Sequence, residues 1–358
     1  VAVLDVRREH AILDLCASPG SKTSQAIDMM FSGKSSSLAD AGFVVANELC
    51  EKRPYIFAKR CSELSSASSC VLVTSHRAQI FPSSVNDGTG EFDRIICDVP
   101  CSGDGTFRKY RDKWRHWHHF QGRQLHSLQL QIALRSIALL KVGGLVSYST
   151  CSLNPMEDES VVAALLERCG GAVELVPCRH HLGDFVTARG MRSWKVLDDD
   201  CCEIPSYEAA RERLGAGGKR YRRTMWPQGE RADLEHCLRL YPHLNDTGGF
   251  FVALLRKIKP WPAPSSSLPT LKAQSRRSAQ PELRDLPPAF LLSFLSAHNV
   301  AEVKDVRLAC WSDQPRRIFA LCESLARYCR VGEEREDKKS QGKASCCKIS
   351  AGVCLAYL

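Results

Sequence analysis

The chain reads as a doubly wound α/β domain with a second, smaller region after it, and three observations carry that reading. Strand-like and helix-like stretches alternate from Ala11 to Leu166, the pattern of a sheet covered by helices. The alternation opens as strand, glycine-bearing loop, helix. Two cysteines, Cys101 and Cys151, each follow a strand-like run, where open α/β sheets bind their ligands.

The chain opens at Val1, inside an apolar stretch, and reads as a fragment whose upstream part is absent. Residues 10–15 end in a short apolar strand that breaks into Cys16-Ala17-Ser18-Pro19-Gly20-Ser21-Lys22-Thr23. A helix is expected over residues 24–31. The N–H groups of such a loop, with a helix N-terminus behind them, favour an anionic or polar group, although an ordinary strand–helix turn has the same appearance. Neither the phosphate-loop pattern nor the dinucleotide GxGxxG occurs there. Residues 33–40 are a serine-rich loop. Residues 42–46 are the second strand, followed by Asn47 and Glu48. A carboxylate there is placed for ribose hydroxyls, or else serves the first turn of a helix over residues 49–61.

Residues 71–74 and 92–97 are the third and fourth strands, with a loop over 82–90 between them. Asp98-Val99-Pro100-Cys101 leaves the fourth, and two glycines make residues 102–109 a loop. Asp112, His116 and His119 fall at helical spacing, as metal ligands would, but no second cluster completes them. The preferred reading of residues 114–119 is an aromatic, basic surface. Residues 124–140 are an amphipathic helix. A Gly143-Gly144 turn then leads to a strand over 145–148 and on to Cys151. Pro155 and the acids Glu157, Asp158 and Glu159 open a helix over 157–168, where they suit its dipole.

The rest is less regular. A short strand is expected over 194–197 with a turn at 198–200, and a glycine turn enters a buried strand over 247–255. The basic run at 219–223, interrupted by Tyr221, is either a solvated loop or a phosphate-binding stretch with a stacking ring. The proline- and serine-rich stretch 260–288 reads as a linker. Residues 289–358 read as a small α+β or β domain, helix-like at 289–294 and strand-like at 318–320, with a polar loop at 340–348.

A net charge of +9 and a pI near 8.8 are compatible with a nucleic-acid partner. The 18 cysteines include no CxxC pair, which argues against zinc ribbons and thioredoxin-like sites. There is no secretory leader and no apolar run of about 18 residues, so no membrane partner is expected. The thiols read as reduced, in cytosol or nucleus, and the pairs Cys201-Cys202 and Cys346-Cys347 as surface or packing residues.

Taken together, the loop at Cys16–Lys22 and Glu48 suit a nucleoside-bearing cofactor. Two cysteines with Asp98 suit covalent activation of an electron-poor ring. A thiolate adding to C6 of a cytosine makes C5 an enamine carbon able to attack an electrophilic methyl group. An acid at the N3 and N4 edge helps, provided it shares a proton with the ring as charge develops there.

At this point the residues resemble a known family. Leu13–Thr23 resembles the cofactor motif of the Sun-type RNA cytosine-C5 methyltransferases, Asp98–Thr106 their second-cysteine motif, and Tyr148–Pro155 with Glu157-Asp158-Glu159 their nucleophile motif, in the same order and spacing. Residues 192–196, 224–227 and 247–255 resemble the eukaryotic tRNA-type branch. The resemblance covers residues 1–257.

It implies a Rossmann-like methyltransferase sheet over 1–259, a linker over 260–288 and a small PUA-like RNA-binding domain over 289–358. It implies methylation of cytosine C5 in tRNA, with ribosomal RNA or an inactive RNA binder as the alternatives. By position, Cys151 is the nucleophile, Cys101 assists release, and Asp98 contacts the base edge or the cofactor. Cys16, Ala17, Ser18, Pro19, Gly20, Ser21 and Lys22 surround the methionine part of S-adenosylmethionine, and Glu48 binds its ribose. A nuclear location is implied, with nucleolus or cytoplasm as alternatives. One position departs: Arg77 stands where the family has an adenine-binding Asp, and an Arg cannot accept that hydrogen bond. Either cofactor affinity is reduced, or Ser75 or a backbone carbonyl substitutes.

Overall fold

The computed structural model describes residues 1–32, 40–49, 69–83, 89–229 and 231–261, then 283–285, 306–311, 317–322, 324–325, 348–351 and 353–357. The fold is mixed α/β and Rossmann-like, with a parallel sheet. The chain divides into two compact units. One comprises Val6–Val85, Glu91–Arg94 and Leu268–Leu358; the other comprises Val1–Asp5, Asn86–Gly90 and Ile95–Ser267.

The first of these units is built on β1 (Ala11–Asp14), α1 (Ser21–Phe31), β2 (Phe43–Asn47) and β3 (Val71–Thr74). β2 pairs in parallel with both β1 and β3. Every residue of these strands is buried, as expected of unbroken apolar runs in a sheet covered on both faces. Burying side chains such as Ile12, Leu13 and Val45 contributes about 1.5–3 kcal/mol each. Helix α1 begins at Ser21, three residues before the expected start, because Ser21 and Lys22 carry no apolar signal; it buries Thr23, Ala26, Ile27 and Met30.

Asn47 ties the strand ends together. Its amide donates to the Leu15 and His76 carbonyls at 3.0 and 2.9 Å, and its oxygen accepts from Thr74 Oγ1 and His76 N at 3.1 and 2.9 Å. All four hydrogen-bonding positions of the side chain are thereby used. The helix expected over 49–61 lies outside the described residues, apart from Leu49.

β4 (Phe92–Asp98) begins in that unit and ends in the other. The second unit continues with α2 (Phe120–Leu139), β5 (Leu140–Thr150), α3 (Glu159–Cys169), β6 (Val173–Leu175), β7 (Ala188–Arg189), β8 (Val196–Leu197), β9 (Glu203–Ile204), α4 (Tyr207–Leu214), β10 (Leu238–Leu240) and β11 (Phe250–Lys257). The sheet order here is β4-β5-β11-β10-β7. β11 runs antiparallel to β5, with Phe251 opposite Thr150 and Arg256 opposite Leu145. β6 also pairs with β11, and β8 with β9.

Three expectations are corrected here. Helix α2 is not amphipathic in its second half: every residue from Ile132 to Leu139 is buried, because α2 packs on both α3 and β5. The expected Gly143-Gly144 turn lies inside β5, which starts where α2 ends. Helix α3 starts at Glu159, not Glu157. Glu157 and Asp158 precede it in a turn and are wholly buried, so they serve side-chain partners rather than a helix dipole.

Lys257, on β11, is also wholly buried. Its Nζ donates to the carbonyls of Ile137 and Leu140, at the C-terminal end of α2, at 2.9 and 2.7 Å. A cation is favoured there, where helix carbonyls lack intrahelical partners.

The C-terminal strands belong to the first unit: β12 (Leu283–Asp285), β13 (Val306–Trp311), β14 (Arg317–Cys322), β15 (Lys348–Ala351) and β16 (Val353–Tyr357). An antiparallel sheet runs β12-β13-β14-β16, and β15 pairs antiparallel with β3. The strand expected at 318–320 is part of β14. The helix expected at 289–294 lies outside the described residues, as does the loop expected at 340–348 except for Lys348, which begins β15 instead. Among those residues no helix is long and apolar enough to cross a membrane.

Candidate active site: two thiols above a buried carboxylate

Cys101 leaves β4 through Val99 and Pro100, and Cys151 directly follows β5. The strands are neighbours, joined just before the cysteines by Val99 N donating to the Ser149 carbonyl at 3.1 Å. The two sulfurs lie 3.1 Å apart, both as half-buried free thiols. Asp98 ends β4 beside them, its Oδ1 accepting from Ser149 Oγ at 2.8 Å.

The loop after Cys101 closes over the loop after Cys151. Gly105 N donates to the Cys151 carbonyl at 2.9 Å, and Gly249 N to the Gly105 carbonyl at 2.7 Å. A Cβ on Gly105 would lie 2.4 Å from the Gly249 oxygen, so only glycine fits. Both oxygens of Asp104 accept from Leu153 N at 3.1 Å.

Beneath the thiols lies Glu157. Its Oε1 accepts from Ser102 N at 2.8 Å and from Gln129 Nε2 at 3.0 Å. Its Oε2 accepts from Ser102 Oγ at 2.5 Å and from Ser152 Oγ at 2.9 Å. Deeper, Arg239 on β10 makes a bidentate pair with Glu159 at 2.6 and 2.5 Å and donates to the Leu153 carbonyl at 2.9 Å. Asp158 accepts from Thr150 Oγ1 at 2.7 Å and lies 3.5 Å from Arg239; burial pushes its carboxyl above the usual range.

The electrostatics distinguish the thiols. The hydrogen bond with Cys151 pushes the Cys101 thiol well up, helped by burial and by the charge of Glu157. Cys101 therefore keeps its proton and can donate it toward the Cys151 sulfur. A cation stands nearby: a Cβ built on Gly103 would lie 2.0 Å from Lys113 Nζ and 3.6 Å from Cys151 Sγ, so ammonium and sulfur flank one small space. Beside Cys151 opens a cavity of about 370 Å³ whose walls include Thr106, Arg108, Lys109 and Phe250.

The expected cofactor residues fall in both units. Cys16 to Lys22 and Glu48 lie in the first, where Ala17 N donates to the Asn47 carbonyl at 2.8 Å, fixing the loop beside Glu48; Asp98 lies in the second. The N-terminus of α1 carries no side-chain cap, and Glu48 is half-buried at the end of β2. A donor-rich loop and a strand-end carboxylate fit an amino-acid carboxylate and a ribose diol. The Arg77 side chain is exposed.

Tyr221 is buried, donating to the Leu197 carbonyl and accepting from Arg123, so it is no stacking surface; the basic run is neither a plain solvated loop nor a base platform. His119 is engaged by the Asp198 carbonyl at 2.8 Å, and among the described residues no cluster of three His, Cys, Asp or Glu could hold a metal. Trp114 is exposed, and its edge meets Phe107 at 5.2 Å on the loop leading from Cys101. Glu157, Ser102, Ser152, Gln129, Lys113, Asn47 and Arg239 were not singled out as site residues by sequence. The sequence signals for the Glu157 contacts are the serine that follows each cysteine and the place of Glu157 in the nucleophile motif.

Three curated relatives bear on identity. The chain is 42% identical over 287 residues to a multisite-specific tRNA:(cytosine-C(5))-methyltransferase of Schizosaccharomyces pombe, covering 72% of this chain and 41% of that protein. It is 41% identical to a tRNA (cytosine(34)-C(5))-methyltransferase of Drosophila melanogaster, covering 71% and 35%. It is 37% identical to a multisite-specific tRNA:(cytosine-C(5))-methyltransferase of Saccharomyces cerevisiae, covering 72% and 37%. The chain thus spans less than half the length of each. With residues 1–256 matching the family model, the chain belongs to the 16S rRNA methyltransferase RsmB/F family.

Proposed function

We propose that this chain carries the methyltransferase part of an S-adenosylmethionine-dependent RNA cytosine-C5 methyltransferase acting on tRNA. The observation that carries the proposal is the pair of thiols 3.1 Å apart at the ends of adjacent strands, with Asp98 beside them. Ring activation by addition and elimination needs one sulfur that attacks and a group that helps it leave. The tRNA-directed names of the relatives at 37–42% identity support tRNA as the acceptor.

The chemistry follows from the protonation of the pair. Cys151, beside Lys113 and accepting a hydrogen bond from the Cys101 thiol, acts as the thiolate. Its sulfur bonds to C6, and the C5–C6 pair moves to C5. Asp98 shares a proton with the N3 and N4 edge, where the ring gains negative charge. S-adenosylmethionine would supply an electrophilic methyl group, and the loop at Cys16–Lys22 would hold its methionine part and Glu48 its ribose. A water molecule takes the C5 proton, the C5–H electron pair restores the C5–C6 double bond, and the C6–S pair returns to Cys151. A thiol donating to the departing sulfur stabilises it, which is the role of Cys101. The target base must leave its stack to reach Cys151, and the cavity there, walled by Arg108 and Lys109, suits a nucleotide with its phosphate.

Residues 289–358 serve as a PUA-like RNA-binding domain in this reading, and the reduced thiols accord with a nuclear or cytoplasmic location.

The test is methyl transfer from labelled S-adenosylmethionine to unmodified tRNA, with ribosomal RNA in parallel. Label at cytosine C5 is expected with the parent chain and none with Cys151→Ala. Cys101→Ala should accumulate a covalent RNA–protein adduct on a denaturing gel. Label confined to ribosomal RNA would move the acceptor. Turnover by Cys151→Ala would overturn the nucleophile.

A further inference from the structure

We infer that Glu157 is the positioning residue of the thiol pair: one buried carboxylate, bound by the residue after each cysteine, sets where the two sulfurs stand. The inference rests on the methyltransferase reading above for its catalytic consequence, but not for its geometry.

Ser102, next to Cys101, gives the carboxylate both its N–H and its hydroxyl. Ser152, next to Cys151, gives its hydroxyl. The two serine oxygens lie 3.3 Å apart, both on Glu157 Oε2. Gln129, from α2, donates to the Pro100 carbonyl and to Glu157 Oε1, each at 3.0 Å, and so holds the segment entering Cys101 as well. Tyr148 Oη donates to the Glu157 backbone carbonyl at 2.5 Å, anchoring the turn to β5. Each carboxylate oxygen thus takes two donors, which a wholly buried charge requires.

Glu157 is wholly buried and touches neither thiol by hydrogen bond, so its effect passes through the serines. Addition needs only the Cys151 sulfur. Release needs the Cys101 thiol within reach of that sulfur, and a displacement of about 1 Å at a reacting centre costs on the order of 100-fold. Loosening the brace should therefore slow release more than addition. A residue that merely supported the fold would depress both together.

The proximity itself is measurable without RNA. A diazenedicarboxamide oxidant takes two electrons and two protons from a pair of neighbouring thiols, leaving a disulfide and the hydrazine. Peptide mapping after such oxidation of the whole chain reads the Cys101–Cys151 bond against the other thiols. Ser102→Ala with Ser152→Ala removes two of the four donors and leaves the carboxylate partly bound. This double variant should form the bond about tenfold more slowly, with thermal unfolding still cooperative. With tRNA it should accumulate adduct, as Cys101→Ala does. Glu157→Gln keeps the shape, and its amide can donate to hydroxyls that reverse their roles. It should cross-link within about threefold of the parent.

Cross-linking at the parent rate in the folded double variant would overturn the inference, whatever the enzyme does. So would normal release by that variant when Cys101→Ala accumulates adduct. If Cys101→Ala forms no adduct, the methyltransferase mechanism fails instead, and the cross-linking rates still decide the brace.

Discussion

His126 shows what burial does to a single group. Its Nδ1–H donates to the Met156 carbonyl at 2.7 Å, and its Nε2 accepts from Thr224 Oγ1 at 2.8 Å. Burial lowers its pKa to about 4, so the ring is neutral in the fold. The unfolded chain binds the proton more tightly, with an ordinary value near 6.5. Stability from this group is therefore complete above about pH 6.5 and is lost as pH falls toward 4, by about 3 kcal/mol in all. Urea titrations between pH 7 and 4 should show that loss, and His126→Gln should flatten it. Lys113 gives a second expectation at this scale. Its ammonium flanks the space beside Cys151 Sγ, so Lys113→Met should raise the pH of half-maximal methylation by about 0.5–1 unit. Gly103→Ala should do the same, because its Cβ would occupy the place of Nζ and its φ of 71° disfavours a side chain.

Among the elements, α2 and β11 are joined by one buried cation. Lys257→Met keeps the apolar stem of the side chain but leaves the Ile137 and Leu140 carbonyls without that donor. The expected cost is about 2–4 kcal/mol, read as a lower denaturation midpoint with an unchanged slope. No sequence pattern announces this lysine, since β11 reads simply as an apolar strand with a charge near its end. The same holds for Glu157 and Asp158. Acids before an apolar helical stretch ordinarily serve the helix dipole, and only the placement of Ser102, Ser152, Thr150 and Arg239 turns them inward. What was legible was what local chain chemistry decides: the strands expected within 10–15, 42–46 and 71–74, the glycine loop before α1, and the two strand-end cysteines. The partners of buried charges come from residues up to 120 positions apart, and no local pattern carries them.

For the whole molecule, the C-terminal segment has a structural task. β15 covers the edge of β3, and Ser324 Oγ donates to the Ala41 carbonyl at 2.5 Å. A chain ending at residue 267 would leave the β3 edge open, and open edges invite association. Such a truncation should lower the melting temperature by about 5 °C or more and promote aggregation, measured by thermal unfolding with light scattering.

The loop carrying Cys101 is closed by a residue far downstream. Gly249 N holds the Gly105 carbonyl, and β11, which begins at Phe250, lies against the strand that delivers Cys151. During translation both cysteines leave the ribosome long before that partner does. The nascent chain therefore carries two thiols without a finished site, and the nucleophile is assembled only once β11 has been made.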